Sequence, residues 1–186
     1  MESVPMELSQ QSDATEVNMD RMKDAVLAVI TEDPSLLPAS IAQQLNISEL
    51  DVVSSLPKEM AIIIEGSHAQ SILEQLVGWG PMTSIVHSGG SIFEVKAPFP
   101  KGKVAHGYYN LMGREGELHG HLKLESMSKV ALISKLFRGK ESYYFGFFDQ
   151  QGDSIFKVYL GRDNKRVLFP DQVEKFKQLQ SSLNSL

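Results

Sequence analysis

The chain has 186 residues, 42% hydrophobic and 22% charged, with a formal net charge of -5 and no cysteine. That length fits one domain, or one with a small appendage, and leaves enough chain to bury a real core. The acidic balance argues against a general attraction to nucleic acid or anionic lipid, and the lack of cysteine excludes disulfides, thiolate metal sites and cysteine nucleophiles.

Residues 1–18 are polar and aperiodic and read as a disordered tail. Acids and glutamines without a basic start or an apolar run do not make a signal peptide, and no later run is long enough to span a membrane. The expectation is a cytoplasmic protein, with a single domain over 19–186 divided into a helical subregion, 19–57, and a sheet-rich core, 58–186. From Asp20 the spacing of Met22, Val26, Val29 and Ile30 predicts an amphipathic helix that ends before Asp33 and Pro34. A second helix covers Pro38 to Leu45. Asn46 and Ser48 then supply a turn and a cap for a third, whose stripe is Val52, Val53 and Leu56.

These three helices have the outline of a helix-turn-helix. Between Asp20 and Leu56, however, Arg21 and Lys23 stand against Asp20, Asp24, Glu32, Asp33, Glu49 and Asp51, and the third helix has no cation to displace counterions from phosphate. The unit reads as a structural cap.

A short strand over Ala61 to Ile64 and a helix over His68 to Trp79 follow, the helix closed by Gly78, Gly80 and Pro81. Strands are expected at Thr83 to His87, Ser91 to Lys96, Ala105 to Leu111, Glu117 to Glu125, Tyr143 to Phe148 and Ser154 to Leu160. Lys129 to Phe137 reads as a helical connection, and a closing helix starts at Asp171 with Val173, Phe176, Leu179 and Leu183 at helical spacing. The fold class is α+β, an antiparallel sheet with an N-terminal helical unit and a C-terminal helix.

Chemistry is concentrated between Pro98 and Ser126, PFPKGKVAHGYYNLMGREGELHGHLKLES, which holds three of the five histidines and two adjacent tyrosines. With Gly113 to Gly116 as the loop of a hairpin, Met112 faces Glu117 and Tyr108 faces His121. Alternation then puts Tyr108, Asn110, His119 and His121 on one face and Tyr109, Leu111, Leu118, Leu122 and Leu124 on the other, the first functional and the second core.

His119 and His121 form a His-x-His pair that could start a zinc or iron site, with His87, His106 or Glu125 as a third ligand. No helical HExxH motif accompanies it, and His119 reads as an ordinary strand residue. No serine elbow and no phosphate loop is present; the glycines from Gly102 to Gly107 lack the terminal Lys-Ser or Lys-Thr. A ferric porphyrin uses more of the segment at once, because it needs an apolar slot, His or Tyr axial ligands, and basic or hydroxyl groups for its propionates. Against that stands a Tyr108 that packs at a sheet edge with its hydroxyl in water.

The succession LVGWGPMTSIVHSGG, then PFPKGKVAHGYYNL, then GELHGHLKLESMSKVALISKLFRGKESYYFGFFDQQGDSIFKVYLGRD resembles the cytosolic haem-utilisation carriers of the HutX/ChuX type, from about Ala25 to the C-terminus. The resemblance implies a split-barrel-like antiparallel sheet similar to one half of the larger HemS/ChuS haem-handling proteins, and a bacterial homodimer that binds haem as cargo. It implies transfer of that haem to an acceptor or haem-degrading protein without turnover; the alternative is an enzyme that opens the haem ring and releases iron. Residue by residue, it points to Tyr108 as an iron ligand, to His121 as a competing or cooperating ligand, and to His87 as a pocket residue or second ligand.

Overall fold

The structure, a computed structural model, describes residues 7–184, with side chains described from residue 17 onward. In the first helix, α1 (Glu7–Glu32), Val26 is closed to solvent and Ile30 nearly so, whereas Val17 and Met19 are exposed. The backbone is helical across most of the stretch expected to be a disordered tail, and residues 1–6 of that tail lie outside the described residues. Nothing from Glu7 to Thr31 is proline or glycine, so no residue there breaks the helix, although no apolar periodicity announces it.

Helix α2 (Pro38–Leu45) closes at Asn46, which adopts a left-handed conformation with φ 53°. Ser48 caps α3 (Glu49–Ser55) through a capping box, its hydroxyl accepting from Asp51 N at 3.0 Å while the Asp51 carboxylate accepts from Ser48 N at 3.2 Å. These caps sit where the Asn46 and Ser48 signals predict them.

Two antiparallel sheets follow and do not close into one barrel. The larger has the order β1-β7-β8-β9-β2-β3, built from β1 (Ala61–Glu65), β2 (Pro81–Ser88), β3 (Ser91–Pro98), β7 (Lys129–Phe137), β8 (Lys140–Phe148) and β9 (Ser154–Tyr159). The smaller contains β4 (Gly102–Ala105), β5 (Tyr108–Leu111) and β6 (Gly120–Leu122). The α+β class with antiparallel strands is the one expected.

The large sheet is covered on both faces. Val26, Ile41, Val52 and Val53 of the helical unit pack with Ala131, Ile133, Tyr144 and Phe148 on one side. On the other, Leu73 and Leu76 of α4 (Ala69–Leu76) and Phe176 of α5 (Pro170–Leu183) pack with Val130, Leu132, Phe145 and Phe147, together with Tyr109 and Leu111 of the small sheet. That double cover corrects one expectation: Lys129 to Phe137 is strand β7, paired with both β1 and β8, and not a helical connection. An interior strand buried on both faces shows a continuous apolar run in place of period-two alternation, and such a run is easily mistaken for a buried helix.

Two further expectations change in the small sheet. The strand expected over Ala105 to Leu111 is split by a tight turn at His106 and Gly107, both at positive φ, which folds β4 back onto β5. The next hairpin has Asn110, not Tyr108, opposite His121. Its turn spans Arg114 to Glu117, closed by Glu117 N donating to Arg114 O at 2.9 Å and by Arg114 N donating to the Glu117 carboxylate at 2.7 Å. Gly116 takes the left-handed position with φ 79°. Moving the turn by one residue slides the pairing by two, so each side chain keeps its face and only its partner changes.

The C-terminal helix is clasped by Gln172, which is fully buried. Gly161 N donates to its Oε1 at 2.7 Å, and its Nε2 donates to Trp79 O at 2.8 Å and Pro81 O at 2.9 Å. Every polar atom of the amide is used, as burial demands.

Candidate functional site

The small sheet owes its orientation to Tyr109 and Leu111, which are buried against the core under the large sheet. Burial pushes the Tyr109 phenol up, and the Glu74 charge adds to the shift. With the odd-numbered residues of β5 inward, Tyr108 and Asn110 turn outward, and His121 comes beside them from β6. Tyr108 is 42% exposed, which leaves its ring and hydroxyl open to a ligand.

The rings of Tyr108 and His121 meet edge to face, with centroids 6.0 Å apart and an angle of 67° between planes. Asn110 follows Tyr108 by two residues on β5 and sits opposite His121. Its Nδ2 donates to the carbonyls of Lys103 at 3.1 Å, Ala105 at 3.0 Å and Tyr108 at 3.1 Å, while its Oδ1 lies 2.6 Å from His121 Nδ1. Just past β6, Lys123 forms an ion pair with Glu125 at 2.9 Å. That hydrogen bond and charge hold the Lys123 ammonium above the ordinary lysine range, with a smaller contribution from Tyr108. The face therefore presents a phenol, an imidazole and an ammonium in succession.

His87 stands on the large sheet, whereas Tyr108 and His121 stand on the small one. His87 pairs with Ile92 near the tip of the β2–β3 hairpin, and its neighbour Val86 packs toward the core beneath the small sheet, so His87 projects the other way. His119 and His106 are exposed in the two connections, and among the described residues no three His, Asp or Glu side chains converge as a metal site.

The site is an open sheet face. A hollow of 650 Å³ runs along α5, lined by Pro170, Val173, Glu174, Lys177, Gln178 and Ser181, and contains none of the candidate ligands. Sequence reasoning put Asn110 on the functional face and assigned it no role. An amide directly opposite a histidine in the true register is the signal that would have done so.

Comparison with known proteins places this geometry in context. A family model described as "Haem utilisation ChuX/HutX" matches residues 62–179. A protein of Vibrio cholerae serotype O1, "Intracellular heme transport protein HutX", is 61% identical over 165 residues, covering 89% of this chain and 86% of the relative. A solved structure, "Structure of the Heme Binding Protein ChuX", superposes with a TM-score of 0.78 at 32% identity, covering 86% of this chain and 99% of the other. The heme degrading enzyme ChuS of Escherichia coli O157:H7 shares the fold, with a TM-score of 0.67 at 19% identity; 87% of this chain matches 46% of that one.

Proposed function

Because the chain belongs to the ChuX/HutX haem-utilisation family, we propose that it is a haem carrier of the cytoplasm that holds its cargo against the outer face of the small sheet and passes it to an acceptor or haem-degrading protein. Tyr108 and His121 are alternative iron ligands in this reading, and the observation that carries it is their exposed edge-to-face contact at 6.0 Å. A phenolate favours ferric iron, an imidazole accepts either oxidation state, and a carrier needs a ligand set it can release. Lys123 beside Tyr108 supplies a positive charge for a propionate or for the phenolate.

Ring opening by oxygen needs a chamber that shields reactive intermediates from water, and within the single chain Tyr108 faces solvent.

His87 enters as a ligand or pocket residue from a second copy. Strand β3 is an edge of the large sheet, and Ile92 and Phe93, beside His87, are 62% and 61% exposed. An edge strand carrying two exposed apolar side chains supports a homodimer built along it.

The test is a ferric haem titration followed at the Soret band on wild type, Tyr108→Phe, His121→Ala and His87→Ala, run beside size-exclusion chromatography. Each ligand substitution is expected to change the spectrum or weaken binding about tenfold. Four identical spectra would remove the site from this face.

A further inference from the structure

The side-chain amide of Asn110 can adopt only one of its two orientations. Three carbonyl oxygens, those of Lys103, Ala105 and Tyr108, surround the atom placed as Nδ2, at 3.1, 3.0 and 3.1 Å. Turning the amide over would set an oxygen against three oxygens and leave no donor among them. The amide oxygen is therefore the atom that faces His121 Nδ1 at 2.6 Å. An amide oxygen only accepts, so the proton in that bond belongs to the imidazole.

We infer that Asn110 is the positioning residue of the site: it holds His121 as the Nδ1–H form and so presents Nε2, with its lone pair, to the iron of the cargo. This rests on the reading of His121 as an iron ligand. The ring nitrogen that binds a metal is set by the hydrogen bond the other nitrogen makes, and partners of this kind fix the ring's orientation as well as its proton. Here the partner is a neutral amide, where many ligating histidines have a carboxylate. It orients the ring without adding negative charge, so the imidazole stays a moderate ligand for a cargo that must leave.

The same amide reaches Tyr108. By donating to the Ala105 and Tyr108 carbonyls it ties both ends of the His106–Gly107 turn, so one side chain fixes the backbone that carries the phenol and the ring that carries the imidazole.

Long-range proton–nitrogen NMR on the full chain, labelled with nitrogen-15 at its five histidines and held at a pH where imidazole is neutral, tests this directly. Loss of one set of signals in His121→Ala assigns the residue. The expected result is a protonated Nδ1 in haem-free wild type, a switch toward the Nε2–H form in Asn110→Ala, and a coordination shift on Nε2 alone when zinc protoporphyrin, a diamagnetic haem analogue, is added. Ferric haem affinity of Asn110→Ala is expected to fall roughly tenfold.

An Nε2–H form in the wild type, or an unchanged form in Asn110→Ala, overturns the inference and leaves the haem reading standing. The Nδ1–H form with no coordination shift on His121 overturns the ligand reading, and the presenting role of Asn110 with it. If Asn110→Ala does not fold, the wild-type spectra with and without zinc protoporphyrin decide both points.

Discussion

Lys157 on β9 and Glu49 at the start of α3 form an ion pair nearly sealed from solvent, with Nζ 2.5 Å from Oε1 and side chains 5% and 10% exposed. Glu49 Oε1 finds no partner of good hydrogen-bond geometry, so the contact rests on charge proximity and not on an aligned bond. Tyr144 stacks on Tyr159 beside it, with ring centroids 4.5 Å apart, and the Lys157 ammonium lies 5.8 Å from the Tyr144 ring centre. The pair fastens the helical unit to the sheet.

Removing one partner strands the other charge. Glu49→Gln is expected to cost about 3–5 kcal/mol in denaturant unfolding, and Glu49→Leu with Lys157→Met together to recover most of it. A loss below about 1 kcal/mol for Glu49→Gln would show that water already reaches the pair.

Alkaline stability follows from the neighbouring phenols. Burial pushes Tyr144 and Tyr159 well above the ordinary value of 10.0, with the charge of Glu49 adding to both. Above that value the unfolded chain releases protons that the folded chain keeps, so stability is lost as pH rises, by about 1.4 kcal/mol per pH unit for each tyrosine. Lys135 works the other way: burial holds its ammonium below the ordinary 10.5, against the pull of Asp33, so stability rises with pH through the window just below that value. Two phenols outweigh one amine above pH 10. The Tyr144 hydroxyl is buried without a partner among the described residues, so Tyr144→Phe is expected to leave neutral stability unchanged or raised and to remove about one proton from the alkaline slope. Unfolding curves from pH 7 to about 11 check this, and a slope equal to that of the wild type would sink it.

Gly102 lies under the ring that anchors the small sheet. A Cβ added there would sit 2.1 Å from the Tyr109 ring, whereas one at Gly120 meets nothing within 4 Å. Gly102→Ala is expected to cost about 1–3 kcal/mol and to weaken haem binding along with it, while Gly120→Ala changes neither. Equal stability of the two variants would mean that Tyr109 is free to move.

Carriage without turnover has its own check. The haem complex, incubated with a reductant and with catalase to remove peroxide, is expected to keep its Soret band. Loss of the band with ring-opened product would overturn the carrier reading.

Elements with local chemical signatures were legible in the sequence. Pro38 and Asn46 bound α2, Ser48 and Asp51 cap α3, and the inward positions of Tyr109 and Leu111 follow from alternation alone. Strand β7 was not legible, because its run from Val130 to Ile133 is buried on both faces and carries no period. The pairing of Asn110 with His121 was missed for a narrower reason: which residue of GREGE takes the left-handed position fixes the register, and both Gly113 and Gly116 can. The grouping of Tyr108 with His121 survived because a slip of two residues preserves the face. The placement of His87 on the other sheet was out of reach, since it depends on how the strands divide between two sheets.

Trp79, the single tryptophan of the chain, abuts Phe145 edge to face at 5.8 Å, has Lys175 Nζ 5.9 Å from its ring centre and is tied by its carbonyl to Gln172. It packs against the same core that supports the small sheet. A lone emitter held in one environment gives a single fluorescence signal, and a porphyrin docked on that sheet absorbs where indole emits. If the cargo docks on that sheet as proposed, its loading is expected to quench the protein's own fluorescence without a label, and the return of emission on adding a proposed acceptor would time the handover.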